Sequence, residues 1–259
     1  MTFLSTQPIK LSALKTACQN CKLQDLCLPV GLNSQDIDQL DDIVKRRKPL
    51  QKGEFLFRSG NTFTSLYAVR SGSIKCYTEN AQGDEQITGL YLPGEILGLD
   101  AIHDEYHPGS AIALETTSLC EIPFHALEEL SQNIPGLHHQ LLRIMSKEIS
   151  TDQTLLMLMA QKNAEERLAA FLVNLSNRLK QRNFSDTEFF LSLSRKDIGN
   201  YLGLTIETIS RTFSHFQSQG LLQTDRKYVK LLQLTQLKTL AGLADDHHKD
   251  TRCPDSSAM

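Results

Sequence analysis

Residues 49–123 are a succession of short runs of strand-forming residues separated by glycine turns, and that alternation leaves few folds open to the chain. Strands are expected at 54–57, 65–69, 73–77, 85–91, 110–114 and 117–122, with turns at Gly53, Ser59-Gly60, Ser71-Gly72, Gln82-Gly83-Asp84 and Pro93-Gly94. Short strands joined by tight turns pair antiparallel, because a parallel partner needs a crossover of a dozen or more residues. The stretch therefore predicts a closed or sandwiched β domain rather than a parallel sheet with crossover helices.

The flanking text is helical. Within 33–46, Ile37, Leu40, Ile43 and Val44 fall at helical spacing behind a cap at Asn33 or Ser34. A long helix opens at Pro135 and runs to about Gln161. One reading frame of it sets Leu142, Met145, Ile149, Asp152, Leu156 and Met159 at alternating steps of three and four, which is a coiled-coil seam with one charge in it. The other use of such a helix is to pack on its own β domain, and Leu141, Ile144, Leu155 and Leu158 outside the seam require part of it to do so. From Asn163 a smaller helical domain begins, with Leu168, Phe171, Leu172 and Leu175 on one face. There Ser194 caps a helix over 195–202, Gly203 breaks it, and Thr205 caps a second helix that Gly220 ends. Two helices across a tight glycine turn read as helix-turn-helix, and 221–232 fit a hairpin turning near Asp225-Arg226, the wing of a winged helix. Residues beyond about 245 are polar and read as a disordered tail.

The second helix of that pair carries the chemistry. Ile206, Ile209 and Phe213 are expected to face inward, which puts Glu207, Ser210 and Arg211 together on the outer face. Arg suits the O6 and N7 of guanine, Glu accepts from cytosine N4, and Ser meets a base edge or a phosphate. The plainer use of the same pattern is an exposed i,i+4 Glu-Arg pair, contributing only about 0.2 to 0.5 kcal/mol. The preceding capped helix and glycine turn favour DNA, with Lys196 and Thr208 as further contacts. Net charge gives less help: the chain carries −3, while 195–230 hold six basic residues against three acidic ones, a local surplus only.

Three of the six cysteines, Cys18, Cys21 and Cys27, lie within ten residues. The chain has no apolar run of about 18 residues to span a bilayer and no basic segment followed by a hydrophobic core at its start, so it is read as cytoplasmic. A reducing compartment disfavours a disulfide framework and leaves thiolates for metal. Three uses of the cysteines compete: a four-cysteine iron-sulfur cluster, a structural zinc site, and a redox-active Cys-x-x-Cys. Zinc ribbons supply two Cys-x-x-Cys knuckles and only one is present, whereas iron-sulfur proteins tolerate a local run plus one distant cysteine. Cys120, in the strand run Ser118-Leu119-Cys120-Glu121-Ile122, is the candidate fourth ligand. Cys76 reads as a buried small hydrophobe and Cys253 as incidental.

Taken together, the cysteine run with Cys120, the segments Gln82-Gly83-Asp84-Glu85-Gln86-Ile87-Thr88-Gly89 and Asn163 to Phe171, and Asp197-Ile198-Gly199-Asn200-Tyr201-Leu202-Gly203-Leu204-Thr205 with the reading helix behind it resemble the Crp/Fnr family, in its Fnr branch of oxygen-responsive regulators. The resemblance covers roughly 18–243. It implies an α+β fold: a cluster-binding region over 1–30, an antiparallel, cyclic-nucleotide-binding-like β-roll over 31–133, a dimerisation helix over 134–161, and a winged helix-turn-helix over 162–245 before the tail at 246–259. It implies that Cys18, Cys21, Cys27 and Cys120 hold an oxygen-labile 4Fe-4S cluster that favours the homodimer, becomes 2Fe-2S in oxygen, and so releases DNA. Glu207, Ser210 and Arg211 match the family's base-reading positions, which implies a TTGAT half-site in inverted repeat. Contacts with RNA polymerase follow by position at Ser71, Gly83, Asp84, Thr116 and Ser185.

Where cyclic-nucleotide-binding relatives follow a Gly-Glu pair, here Gly94-Glu95, with an arginine-serine pair for the phosphate, this chain has Pro108-Gly109-Ser110-Ala111. It lacks the planar, permanently charged donor, so no cyclic nucleotide is expected. The sequence thus describes a non-enzymatic transcription regulator, mainly an activator of anaerobic genes, with two rivals: a small-effector regulator with structural zinc, and an iron-sulfur electron-transfer protein.

Overall fold

The computed structural model describes residues 18–243; the first 17 residues of the expected cluster-binding region, the expected tail and Cys253 lie outside them. The described chain divides into two compact units between Gln153 and Thr154, within the long helix.

In the first unit, two 3-10 turns, Cys18–Asn20 and Gln24–Leu26, lead into α1 (Ser34–Ile43). Eight strands follow: β1 (Lys45–Arg46), β2 (Phe55–Phe57), β3 (Ser65–Ser71), β4 (Ile74–Glu79), β5 (Glu85–Tyr91), β6 (Ile96–Leu97), β7 (Ser110–Ala113) and β8 (Ser118–Pro123). They form two four-stranded antiparallel sheets, in the orders β1-β8-β3-β6 and β2-β7-β4-β5. Then come α2 (Phe124–Asn133) and α3 (Pro135–Gln161). The strand period of two divides the burial between two cores. Tyr67, Val69, Leu97 and Leu119 point between the sheets, where Phe57, Ile74, Ala111 and Ala113 meet them. Leu66, Ala68, Ile96 and Ile122 point the other way, onto a layer built from Leu28, Leu40, Leu127 and Leu137. The first sheet is therefore covered on both faces, and Cys120 lies in its helix-facing layer, paired with Ala68 of β3 and Arg46 of β1.

The helix expected over 33–46 ends at Ile43: Val44 turns extended and Lys45–Arg46 pair with β8. Asn33 is its cap, accepting from Asp36 N at 2.9 Å. At Cys76/Tyr77 the β4–β5 register shifts beside Gly89, where an added Cβ would stand 2.7 Å from the Tyr91 ring. That close approach explains the glycine in mid-strand.

The second unit contains α4 (Ala164–Lys180), β9 (Glu188–Phe190), α5 (Arg195–Leu202), α6 (Ile206–Ser218), β10 (Leu222–Asp225), β11 (Tyr228–Leu231) and α7 (Leu234–Leu240). Asn163 and Ser194 both form capping boxes, with Glu166 and Asp197, and these reciprocal bonds define where α4 and α5 start. Gly203 is left-handed (φ 64), as the tight turn requires, and Thr205 caps α6 through Thr208 N at 3.2 Å. The expected hairpin is present and gains β9 as a third strand, in the order β10-β11-β9. Arg167 braces the fold from α4: Nη2 donates to Met159 O at 2.7 Å and Nη1 to Leu202 O at 3.0 Å.

Candidate metal centre and nucleic-acid interface

The segment carrying the first three cysteines is wound tightly by backbone hydrogen bonds, Cys21 N to Cys18 O (3.2 Å) and Gln24 N to Cys21 O (3.1 Å). It is pinned from three sides. Cys18 N donates to Asp41 Oδ1 of α1 at 3.0 Å, Gln140 Nε2 of α3 donates to Cys27 O at 3.3 Å, and Gly94 (φ 89) admits Leu26 so closely that an added Cβ would stand 2.8 Å from it. Leu28, fully buried, anchors the end of the segment in the helix-side core. The result is an apolar cavity of about 40 Å³ lined by Cys18, Cys21, Cys27 and Cys120, with Leu40, Ala68, Arg70 and Gly94 among its walls. That is about three times the space one water needs.

All four cysteines are half-buried with free thiols. Burial pushes the Cys27 thiol up to about 12, and raises those of Cys18 and Cys120. Asp41, hydrogen-bonded to Cys18, raises it further, while Arg46 and Arg70 pull Cys120 back down. Thiols so placed are protonated until a metal supplies the missing positive charge. Among the described residues no group of three or more His, Cys, Asp or Glu meets closely enough to hold a single ion. The four cysteines line one cavity. Their soft donor set and their convergence on one apolar cavity fit a compact multi-metal cluster. Cys76, by contrast, packs against the inter-sheet core on β4.

On α6, Glu207, Ser210 and Arg211 are exposed on one face. Among the described residues Glu207 and Arg211 make no ion pair, with each other or elsewhere. Ser210 Oγ donates to Ile206 O at 2.8 Å. Ile209 and Phe213 face inward as expected, joined by Thr212 and Phe216, but Ile206 is 44% exposed: in the first helical turn it lies outside the packed stripe. Thr208 is half-buried, its hydroxyl 3.0 Å from that of Thr205, and serves the cap. Lys196 is exposed. A neighbour that sequence reasoning passed over is Arg195, whose guanidinium lies 3.2 Å over the Phe213 ring with Nη1 lacking a hydrogen-bond partner. Burial lowers it to about 10.

Along α3, Leu142, Ile149 and Leu156 are 50, 58 and 69% exposed and Asp152 is exposed, whereas Met145 and Met159 are half-buried. Burial, then the charge of Asp100, raises the Asp152 carboxyl above the usual range. Ser71 and Thr116 are exposed on either side of Gly72, whose left-handed backbone (φ 82) lies against Thr116 O and Thr117. Gly83 and Asp84 form the β4–β5 turn, closed on Asn80, and Ser185 Oγ accepts from Glu188 N at 3.0 Å in the second unit.

Residues 47–133 match the cyclic nucleotide-binding domain family and residues 166–240 the Crp-like helix-turn-helix domain family. The chain is 53% identical over 238 residues to the transcriptional activator protein Anr of Pseudomonas protegens, covering 92% of this chain and 98% of that protein. It is 53% identical over 225 residues to the fumarate and nitrate reduction regulatory protein of Escherichia coli, covering 87% and 90%. Among solved structures, FixK2 from Bradyrhizobium japonicum superimposes with a TM-score of 0.70 at 28% identity, over 76% of this chain and 97% of that one.

Proposed function

This chain belongs to the Crp/Fnr family of transcription regulators, and from that premise we propose that it is an oxygen-sensing, DNA-binding activator of anaerobic genes, working in the cytoplasm as a homodimer and performing no chemistry on a substrate. The observation that carries the reading is the common cavity: Cys18, Cys21 and Cys27 come from one wound segment, and Cys120 from a strand 93 residues on, yet all four line the same apolar space. In this reading they hold a 4Fe-4S cluster, a centre that oxygen degrades. The chain's own part is positional. Asp41, Gln140 and Gly94 hold the cysteine segment against α1, α3 and the first sheet, and Leu28 closes it from below.

The exposed seam of α3 supports association with a second copy, and the unpaired Glu207 and Arg211 support reading of a TTGAT-type inverted repeat. The β-roll then serves as scaffold. At the position where an arginine would hold a cyclic phosphate, Ser59 N donates to Ser110 Oγ (3.0 Å) and Ser59 Oγ to Pro108 O (3.1 Å), so the segment is bonded to the turn that follows β2. RNA polymerase is the further partner, through the surfaces around Ser71 and Thr116, Gly83 and Asp84, and Ser185. No helix among the described residues is long and apolar enough to cross a membrane. The test is anaerobic purification with iron and acid-labile sulfide counts, followed by footprinting on an inverted-repeat duplex before and after air. About four irons and four sulfides per chain with air-sensitive protection are expected; zinc without sulfide would overturn the cluster, and a cluster without protection would overturn the regulator.

A further inference from the structure

The wing ends in an anomaly. Asp225 pairs with Tyr228, so the β10–β11 hairpin turns through Arg226 and Lys227 alone, and Arg226 sits in the left-handed region at φ 53. A Cβ makes that conformation unfavourable, and glycine or asparagine is the usual solution. Here the turn carries an exposed arginine instead. Strain kept at one position points to a use for the side chain there.

The surrounding charges are already committed. Lys227 Nζ donates to Ser192 O at 2.9 Å, Lys230 pairs with Glu188 at 2.6 Å, and Tyr228 Oη donates to the same carboxylate at 2.8 Å. Arg226 has no ion pair or side-chain hydrogen bond among the described residues. Its position is also fixed relative to the reading helix. Gln217 lies seven residues beyond Ser210, two turns along the same face of α6, and its Oε1 accepts from both Thr224 N and Thr224 Oγ1 at 3.0 Å. Thr224 is two residues before Arg226, so the wing tip is clamped to the DNA-facing side of α6. A helix of this length spans about 20 Å, more than the roughly 12 Å width of a major groove. Where α6 enters the groove by its N-terminal turns, around Glu207, Ser210 and Arg211, its far end and the wing clamped to it by Gln217 are directed to the groove's rim, towards the DNA that flanks the half-site.

We propose that Arg226 is a second reading residue, entering the minor groove of the flanking DNA and favouring A·T pairs there. Narrow A·T minor grooves concentrate negative potential and attract arginine, giving preference at base pairs the reading helix never touches.

The inference rests on α6 binding DNA, and the experiment separates the two. The full chain, purified and kept anaerobic, is titrated onto inverted-repeat duplexes whose flanks are A·T-rich, G·C-rich or trimmed away, at several salt concentrations. Two variants are used: Arg226→Gly, which relieves the backbone, and Arg226→Asn, which tolerates it without loosening the turn. Both should melt no lower than the parent, with Arg226→Gly higher by about 2 to 4 °C. Both should bind the A·T-flanked duplex about tenfold more weakly, with a salt slope lower by about one unit per protomer, and should match the parent on the trimmed duplex. Equal losses on A·T and G·C flanks would reduce Arg226 to a backbone contact and overturn minor-groove reading, as would no loss on either. A parent that binds none of the duplexes would overturn the DNA-binding reading of α6 and the wing contact with it.

Discussion

Replacing Asp152 with alanine should make the cluster-free protein dimerise in air. The seam offers limited apolar area: Leu142, Ile149 and Leu156 are 50, 58 and 69% exposed, and Met145 and Met159 are already half-covered within the chain. Covering those three on both protomers contributes roughly 6 to 12 kcal/mol. Association costs about 4 to 15 kcal/mol in lost freedom, so the balance lies near zero. In a parallel symmetric pair Asp152 faces its own copy. Two carboxylates about 6 Å apart at an effective dielectric of about 20 repel by about 3 kcal/mol, which is about 100-fold in the dissociation constant. The Asp152 carboxyl already lies above the usual range, by burial and then by the charge of Asp100. A second copy raises it further, so association takes up protons and the parent dimer should strengthen as pH falls into the carboxylate range. Sedimentation of aerobic apo protein is the assay. If Asp152→Ala stays monomeric where the parent does, or if parent association is flat with pH, the carboxylate is not what holds the seam apart.

Serine at Cys18, Cys21, Cys27 or Cys120 should abolish iron and sulfide incorporation under anaerobic conditions while Cys76→Ser keeps both, and a full cluster in Cys120→Ser would remove that residue from the ligand set. Arg211→Ala should cost about 1 to 3 kcal/mol and relax discrimination at the guanine; equal losses on matched and guanine-substituted duplexes would make it a backbone contact. Lys196→Ala should weaken all duplexes alike and lower the salt slope by about one unit per protomer, which salt titrations check. His107 stacks on Phe57 at 3.6 Å with Nδ1 unpartnered, and burial lowers its pKa below the usual value. Below about pH 6.5 the unfolded chain therefore binds a proton that the folded one refuses, so stability should fall by up to about 1.4 kcal/mol per pH unit until the folded pKa is passed. Above that pH the penalty is absent. Urea melts of the parent and His107→Phe from pH 7 to 5 should diverge in slope; parallel curves would acquit the histidine.

The parts legible in the sequence were those whose cause is local. Asn163, Ser194, Gly203 and Thr205 mark helix ends by their own side chains or backbone, and each lies where the sequence puts it. The long runs of β3 and β5 were equally plain. Two-residue strands such as β1 and β6 are defined only by their partners, since no periodicity can show in so few residues. Lys45–Arg46 consequently read as the end of a helix until β8 claimed them. Ile206 misled for the related reason that helical spacing gives a face but not where along the helix the core stops. Arg195 over Phe213, and Gln217 on Thr224, are contacts between elements and carry no signature in either segment alone.

The site shows the same division, and its non-local part bears on how a cluster could govern the seam. Gln140 belongs to α3 and is nine-tenths buried, with its amide on Cys27 O. Within a turn of it on the same helix, Leu137, Leu141 and Ile144 share the core in which Leu28, Cys18, Cys27 and Cys120 are packed. The inner face of α3 is thus part of the cysteine segment's seat, while Leu142 and Ile149 on its outer face are exposed. Packed cores settle into discrete arrangements and do not deform freely. In the proposed reading, drawing four cysteines about one centre would shift Leu28 and the Cys27 carbonyl, and α3 meets both, through Leu137 in the shared core and through Gln140. A shift favouring association by about 3 kcal/mol would suffice to offset the Asp152 repulsion. With Asp41 and Gly94 still holding the segment, Gln140→Ala should keep its iron and sulfide but uncouple them from dimerisation, and loss of cluster and dimer together would show that Gln140 acts only by seating the segment.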